Sequence, residues 1–372
     1  MSVEMPRVLI VDDSALMRKR LSSLMESTGQ LQVCGFAHDG NEAVQKVVEL
    51  KPDVVTLDVE MPGKNGLEAI PAILDAVPVP IIMVSGLTQE GAQTTLDALN
   101  QGAVDFISKP TSISPDYLRQ LQAELVSKIK AVAGQRVQVP KFRRRILSST
   151  AAPKPTPAKP TSNLAAPIAA GDPPAGPREY NDVLIAIGIS TGGPPALQEV
   201  FENLTLPIPP IVVVQHMPPQ FTGPFSQRLN QICPFLVKEA AEGDVIKPNQ
   251  VLIAPGGRHL TILKRGGKNV VTIDDDELVS GHRPSVDKMF FSAAEVYGNS
   301  LVGIIMTGMG RDGADGCKRI IEKGGRTLGQ DQETSVVYGM NRVAMREGGV
   351  QKQFALGDLA GIIAGLFRHA AV

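Results

Sequence analysis

Residues 149–178 hold eight prolines and eight alanines, no aromatic residue, and only Leu164 and Ile168 as large aliphatics. Such a stretch cannot bury enough surface to offset the entropy of ordering it, and its prolines favour extended, semi-rigid geometry. It is read as a connector, so the chain must build a separate core on each side of it. The 372 residues suffice for two, at roughly 150 residues per domain. With 43% hydrophobic and 20% charged residues there is material for both. The expected division is a first domain over 1–125, a linker over 126–180 and a second domain over 181–372. The basic run Lys141-Phe142-Arg143-Arg144-Arg145, just ahead of the connector, reads as a solvated stretch rather than a docking patch.

Charge and cysteine usage narrow the function classes. The 37 Lys+Arg against 38 Asp+Glu leave a formal charge of -1, which removes the basic excess that phosphate neutralisation requires; a nucleic-acid partner is not expected. Cys34, Cys233 and Cys317 are odd in number and widely spaced, giving neither a disulfide framework nor a metal-binding pair, as suits a reducing compartment. The first residues lack a basic flank with an apolar core, and no apolar run reaches the length of about 18 residues that spans a bilayer. The expectation is a cytoplasmic protein that is not membrane-inserted.

In the first domain, short apolar runs over 7–11, 31–36, 54–57, 81–84 and 104–107 alternate with helical patterns such as 14–27 and 41–50. Five βα repeats imply an open parallel sheet of flavodoxin-like type, with chemistry at the carboxyl ends of the strands. The residues ending those strands are Asp12 and Asp13, Asp58, Ser85 and Lys109. Carboxylates gathered in this way repel one another unless a divalent cation such as Mg2+ and the lysine compensate. Phosphoryl transfer to Asp58 is the chemistry then available. Aspartates after strands also serve as turn formers or helix caps, but that reading does not account for the whole set.

After the connector, strong strands are expected over 182–189, 210–215 and 300–306, with a small antiparallel addition from 250–253, 260–264 and 269–273. This is a second, doubly wound α/β domain. Gly188-Ile189-Ser190-Thr191-Gly192-Gly193 follows the first of those strands and precedes a helical segment, so Ser190 stands near a helix N-terminus. His216 ends the next strand and Asp312 follows a third; one supplies a base and the other a carboxylate to orient it. Backbone N–H groups at Thr191 and Met309 are candidates to hold an oxyanion. His282 is the best substitute base. A serine before glycines or an aspartate before Gly313 is often only a cap, and a histidine after a strand is often structural. A dinucleotide site is the main rival, since Gly188, Ser190 and Gly193 fall on the G-x-G-x-x-G positions; the serine and the missing acidic residue argue against it. The nucleophile elbow of α/β-hydrolases fits Gly188-x-Ser190-x-Gly192, but there the partners come in the order Ser, Asp, His.

Val11-Asp12-Asp13-Ser14, Leu57-Asp58-Val59-Glu60-Met61-Pro62, Ser85, Phe106 and Lys109-Pro110 resemble a response-regulator receiver domain. The resemblance implies phosphorylation of Asp58 by a histidine kinase, Mg2+ on Asp12, Asp13, Asp58 and Glu60, and readout through Ser85, Phe106 and Lys109. Asn65, where Asp is frequent, lies outside that chemistry. The second half resembles the catalytic domain of the CheB protein-glutamate methylesterase family. The carriers are the Ser190 motif, Val214-Gln215-His216-Met217-Pro218, Ala254-Pro255-Gly256-Gly257-Arg258-His259, Arg283-Pro284-Ser285-Val286-Asp287 and Thr307-Gly308-Met309-Gly310-Arg311-Asp312-Gly313. It implies hydrolysis of γ-glutamyl methyl esters on chemoreceptors with release of methanol, and deamidation of certain glutamines, with Ser190, His216 and Asp312 as the triad. It also implies a chemotaxis-type sensor kinase as partner, recruitment to receptor arrays, and no cofactor for the esterase reaction. Segments 330–335 and 340–342 vary from the familiar pattern without touching the triad. The alternative class is a non-catalytic, phosphorylation-dependent adaptor whose second domain binds a partner or nucleotide.

Overall fold

Alternating apolar strands and amphipathic helices build each half around a parallel sheet. The computed structural model describes residues 5–86, 88–109, 114–134 and 183–366. The connector, the basic run, Pro110 and His369 lie outside these. In the first unit the chain runs β1 (Arg7–Val11), α1 (Ala15–Glu26), β2 (Gln32–Ala37), α2 (Gly40–Leu50) and β3 (Val54–Asp58), then α3 (Gly66–Ala76), β4 (Ile81–Ser85), α4 (Gln89–Gln101), β5 (Asp105–Ser108) and α5 (Pro115–Val132). The strands pair in parallel in the order β2-β1-β3-β4-β5, the flavodoxin-like arrangement expected. Helix α5 continues past residue 125 because Leu125, Val126, Ile129 and Val132 keep a helical apolar stripe buried. Side-chain caps define several helix starts: Ser14 accepts from Met17 N, and Asn65 from Glu68 N.

The second unit begins β6 (Leu184–Ile189), α6 (Gly193–Glu202), β7 (Ile211–Gln215), α7 (Pro219–Ile232), β8 (Leu236–Glu239) and β9 (Gln250–Ile253). A hairpin follows, β10 (His259–Arg265) and β11 (Lys268–Asp274), then α8 (Val286–Tyr297), β12 (Leu301–Ile305) and α9 (Ala314–Glu322). The chain closes with β13 (Arg326–Gln330), α10 (Met340–Arg346), β14 (Lys352–Phe354) and α11 (Leu359–Gly365). Seven strands form one parallel sheet ordered β14-β13-β12-β6-β7-β9-β8. Its central strands β6, β7 and β12 are buried on both faces, as helix-covered parallel strands must be. The antiparallel addition differs from the expected one: among the described strands β10 and β11 pair in that sense, a single bridge adds Val245 opposite Val270, and 250–253 instead joins the main sheet between β7 and β8. The short apolar run at 250–253 is equally compatible with either pairing, and the crossover through α7 and β8 decides it.

Strand order reverses between β6 and β12, because the chain winds outward through β7 on one side and through β13 on the other. In open α/β sheets the crevice beyond the strand ends at such a point is the usual ligand site. The two units also pack together. Helix α4 lies against α7, and the Phe106 ring sits 4.2 Å from that of Phe221, tilted by 31°. Among the described residues no helix is long and apolar enough to cross a membrane.

Candidate active site and acidic cluster

Register brings the strand ends of the second unit level. Ile189 pairs with Gln215 across β6 and β7, and Gly188 with Ile305 across β6 and β12, so Ser190 and His216 emerge side by side. His216 N donates to Ile189 O at 3.1 Å, and Ser190 N donates to Thr307 O at 2.9 Å. Gly192 has φ +77°, a conformation side chains resist, which turns the chain directly into α6. At Gly308 any Cβ would sit 2.7 Å from Ser190 Cβ, so the residue type leaves the serine room.

His216 Nε2 and Asp312 Oδ2 are 2.8 Å apart. The other ring nitrogen, Nδ1, is buried and has no partner among the described residues. The Ser190 hydroxyl is partly exposed and forms no hydrogen bond with it. The His–Asp half of the expected constellation is therefore closed, and the Ser–His half stands open with Nδ1 as the free nitrogen.

Asp312 is fully buried and accepts from Ser285 Oγ at 2.8 Å, Val286 N at 2.7 Å and Asp287 N at 3.0 Å. These last two are the first N–H groups of α8, so the carboxylate caps a helix remote in sequence rather than α9, whose N-cap residue is Gly313 and which has no side-chain cap. Burial works to raise its proton affinity, but the His216 partner and the α8 N–H groups outweigh it and hold the carboxyl down at about 2. The ring facing it is therefore oriented by a carboxylate that keeps its charge.

His282, named above as the substitute base, lies against His216. Its ring stacks on His216 with centroids 3.8 Å apart and planes 7° from parallel. Burial, then the neighbouring His216, depress its proton affinity to about 4, so it packs as a neutral plate. His259 opens β10; it is buried, with Nε2 at 2.9 Å from Glu277 O and Nδ1 accepting from Ser285 N. Sequence reasoning assigned no role to Ser285 or Gln215. The Gln215 amide donates to Ser190 O at 3.1 Å and to His216 O at 3.0 Å, tying the two segments together. Both residues lie inside the quoted motifs, which was the only signal available for them.

The candidate oxyanion turns meet the first unit. Thr191 Oγ1 donates to Asp105 Oδ2 at 2.5 Å, and Ser127 Oγ lies 2.8 Å from Met309 Sδ. Lys128 Nζ reaches Asp105 Oδ1 at 3.2 Å and Phe106 O at 2.7 Å.

At the carboxyl edge of the first sheet, Asp12, Asp13 and Asp58 bring carboxylate oxygens within 4.8 Å of one another. Lys109 Nζ donates to Asp58 Oδ2 at 2.6 Å and stands 4.0 Å from Asp12 Oδ2. Burial raises the proton affinity of Asp58 to about 6 despite Lys109, and it raises that of Asp12 as well. Asp12 Oδ2 is buried without a hydrogen-bond partner. An orphaned acceptor within three carboxylates fits a hard divalent cation held by oxygens. Glu60 is not one of the three; its side chain is exposed, and it lines a cavity of about 610 Å³ with Asp13, Thr94 and Lys109. Its N–H donates to Asp58 Oδ1 at 3.3 Å. The Ser85 hydroxyl lies 3.3 Å from the carbonyls of Gly86 and Gly91.

Comparison with known proteins adds independent findings. A family model described as CheB methylesterase matches residues 185–363, and one described as response regulator receiver domain matches residues 8–121. A Treponema denticola protein, "Protein-glutamate methylesterase/protein-glutamine glutaminase", is 44% identical over 365 residues, covering 96% of this chain and 97% of its own. A Pyrococcus abyssi protein of the same name is 44% identical over 347 residues, covering 92% of this chain and 88% of its own. The crystal structure of the Thermotoga maritima CheB methylesterase catalytic domain superposes on 50% of this chain and 98% of its own, with 37% identity and a TM-score of 0.49.

Proposed function

The chain belongs to the CheB methylesterase family, and on that footing we propose that Ser190, His216 and Asp312 carry its phosphorylation-regulated protein-glutamate methylesterase and protein-glutamine glutaminase activity. The substrates are methylated glutamates and certain glutamines of chemoreceptors. The observation that carries the reading is the buried His216–Asp312 pair beside Ser190 at the switch point of the second sheet.

Ser190 Oγ attacks the γ-carbonyl carbon of the ester while its proton passes to His216 Nδ1, the nitrogen that Asp312 leaves free. Asp312 holds the ring and stabilises the imidazolium. Backbone N–H groups of the Thr191 and Met309 turns take the oxyanion; one such donor is worth about 3 to 4 kcal/mol in other enzymes. Collapse breaks the bond to the methoxy oxygen, which leaves with the His216 proton as methanol. Water, deprotonated by His216, then attacks the acyl-enzyme and restores Ser190, releasing the glutamate side chain. With a glutamine substrate the group leaving in the first step is ammonia.

Control comes from the first unit. Asp58 accepts a phosphoryl group from a chemotaxis-type histidine kinase, and Lys109 pairs with its oxygens. A Mg2+ ion held by Asp12, Asp13 and Asp58 would neutralise charge on those oxygens. Asp105, Phe106 and Ser127 contact the Thr191 and Met309 turns and Phe221, so the unphosphorylated first unit lies over the oxyanion side of the cleft. Phosphorylation draws Ser85 and Phe106 toward Asp58 and loosens that cover. Methanol release from methylated receptor fragments, with and without a phosphoryl donor, tests both parts. The wild type should be active and stimulated by the donor, and Ser190→Ala inert; activity retained in Ser190→Ala would overturn the assignment.

A further inference from the structure

Asp312 has a second carboxyl behind it. Asp287, two residues into α8, is 2% exposed, and its own N–H donates to Asp312 Oδ1 at 3.0 Å. Its Oδ1 accepts from Gly316 N in α9 at 2.7 Å, and its Oδ2 lies 3.5 Å from Ser280 Oγ on the loop after β11. No cationic side chain pairs with it among the described residues. Arg311, the nearest basic group in the same turn, is engaged by Asp315 and Glu347. The groups facing Asp287 are Asp312 from the loop after β12, Asp315 and Cys317 from α9, Arg311, and Ser280.

A carboxylate this deep, beside another carboxylate and without a cation, favours keeping its proton. We propose that Asp287 is a positioning residue of the triad, a carboxylic acid that shares its environment with Asp312 and whose loss of a proton strengthens the field holding the His216 imidazolium. The proposal rests on the hydrolase reading above. Burial comes first among the causes that raise the proton affinity of Asp287 to about 7; the Gly316 N–H opposes it and the Asp312 charge adds to it. When Asp287 ionises, a second negative charge faces Asp312 from the first turn of α8. The imidazolium formed during attack is then better stabilised, and because the same field makes the resting ring hold a proton more readily, the gain in rate is expressed on the alkaline side, where the ring is neutral before attack.

A purely structural role, tying α8 to α9 through Gly316, would predict something else. Asp287→Asn keeps that acceptor and the shape but cannot ionise. The full chain, phosphorylated by acetyl phosphate, is followed by its labelling rate with a serine-reactive fluorophosphonate from pH 5.5 to 8.5. Dividing the wild-type rate by that of Asp287→Asn cancels pH effects in the receiver half. The expected ratio is near one below pH 6 and rises above pH 7 to roughly three- to tenfold at pH 8.5, the scale of one unit of proton affinity. A flat ratio overturns the proposal while leaving the hydrolase reading intact. Equal labelling of Ser190→Ala and wild type overturns both. Should Asp287→Asn fail to fold, infrared titration decides it in an Asp12→Asn/Asp58→Asn chain, which lacks the raised carboxyls of the first unit. A buried protonated carboxyl lost near pH 7 supports the proposal, and its absence at pH 6 overturns it.

Discussion

Among the side chains around the reaction centre, Ser285 separates orientation from packing. Its hydroxyl donates to Asp312 Oδ1, and its oxygen also caps α8 by accepting from Lys288 N at 3.3 Å. A hydrogen bond to a charged acceptor contributes about 1.5–3 kcal/mol, and a lost cap costs about 1 kcal/mol of stability. Ser285→Ala is therefore expected to lower kcat by about tenfold or more with little change in KM, and to lower Tm by a few degrees. Steady-state methanol release and a thermal melt check this. A fall in Tm with kcat unchanged would show that the backbone N–H groups of Val286 and Asp287 suffice to aim Asp312. Such a residue is hard to read from sequence, because a serine before a helix is a cap in any protein, and only the fold reveals that a remote aspartate shares its helix end. The same holds for the ring nitrogen His216 offers. Its position after an apolar strand was legible, whereas the choice of Nε2 for Asp312 depends on how the N–H groups of α8 fix that carboxylate on the loop after β12.

At the level of strands and helices, strand-terminal polar residues were the most legible feature, since a parallel sheet sends every carboxyl end to one edge whatever the loops do. Asp12, Asp58 and Lys109 on one side, and Ser190 and His216 on the other, needed only strand assignment, whereas Asp312 lies seven residues past the end of β12 and is placed by its loop. Strands β8, β13 and β14 were not legible: β8 and β14 are short edge strands carrying Lys238 and Lys352, and β13 is interrupted by the polar and small residues Arg326, Thr327, Gly329 and Gln330. The β1–β3 edge carries a prediction of its own. Asp58 is raised to about 6 from an ordinary 3.8, so without a cation its contribution to stability is present at low pH and lost as pH rises through about 6. A divalent cation binds the ionised form and reverses that loss. Added Mg2+ should therefore raise the melting temperature of the first unit at pH 7.5, and do so much less at pH 5. Asp12→Asn and Asp58→Asn should each abolish most of the increment. A rise of equal size at both pH values would mean that Asp58 does not titrate in this range.

Across the whole molecule the question is which contact holds the two halves together. The Asp97–Arg228 ion pair between α4 and α7 is partly exposed, and such pairs contribute about 0–1 kcal/mol. The Phe106–Phe221 contact is buried, and an aromatic pair adds about 0.5–1.5 kcal/mol beyond the area it covers. The aromatic contact should dominate, and Phe106 also occupies the position through which Asp58 is expected to act. Phe106→Ala then shifts the docked population by roughly a factor of ten per 1.4 kcal/mol lost. Methanol release without any phosphoryl donor should rise about three- to tenfold, and the further gain on phosphorylation should shrink by a similar factor. Asp97→Asn should change basal activity less than twofold. The opposite ranking would place the latch at α4 and α7 rather than at β5, and the signal from Asp58 would have to travel through the α4 start near Ser85 instead of through the Phe106 ring.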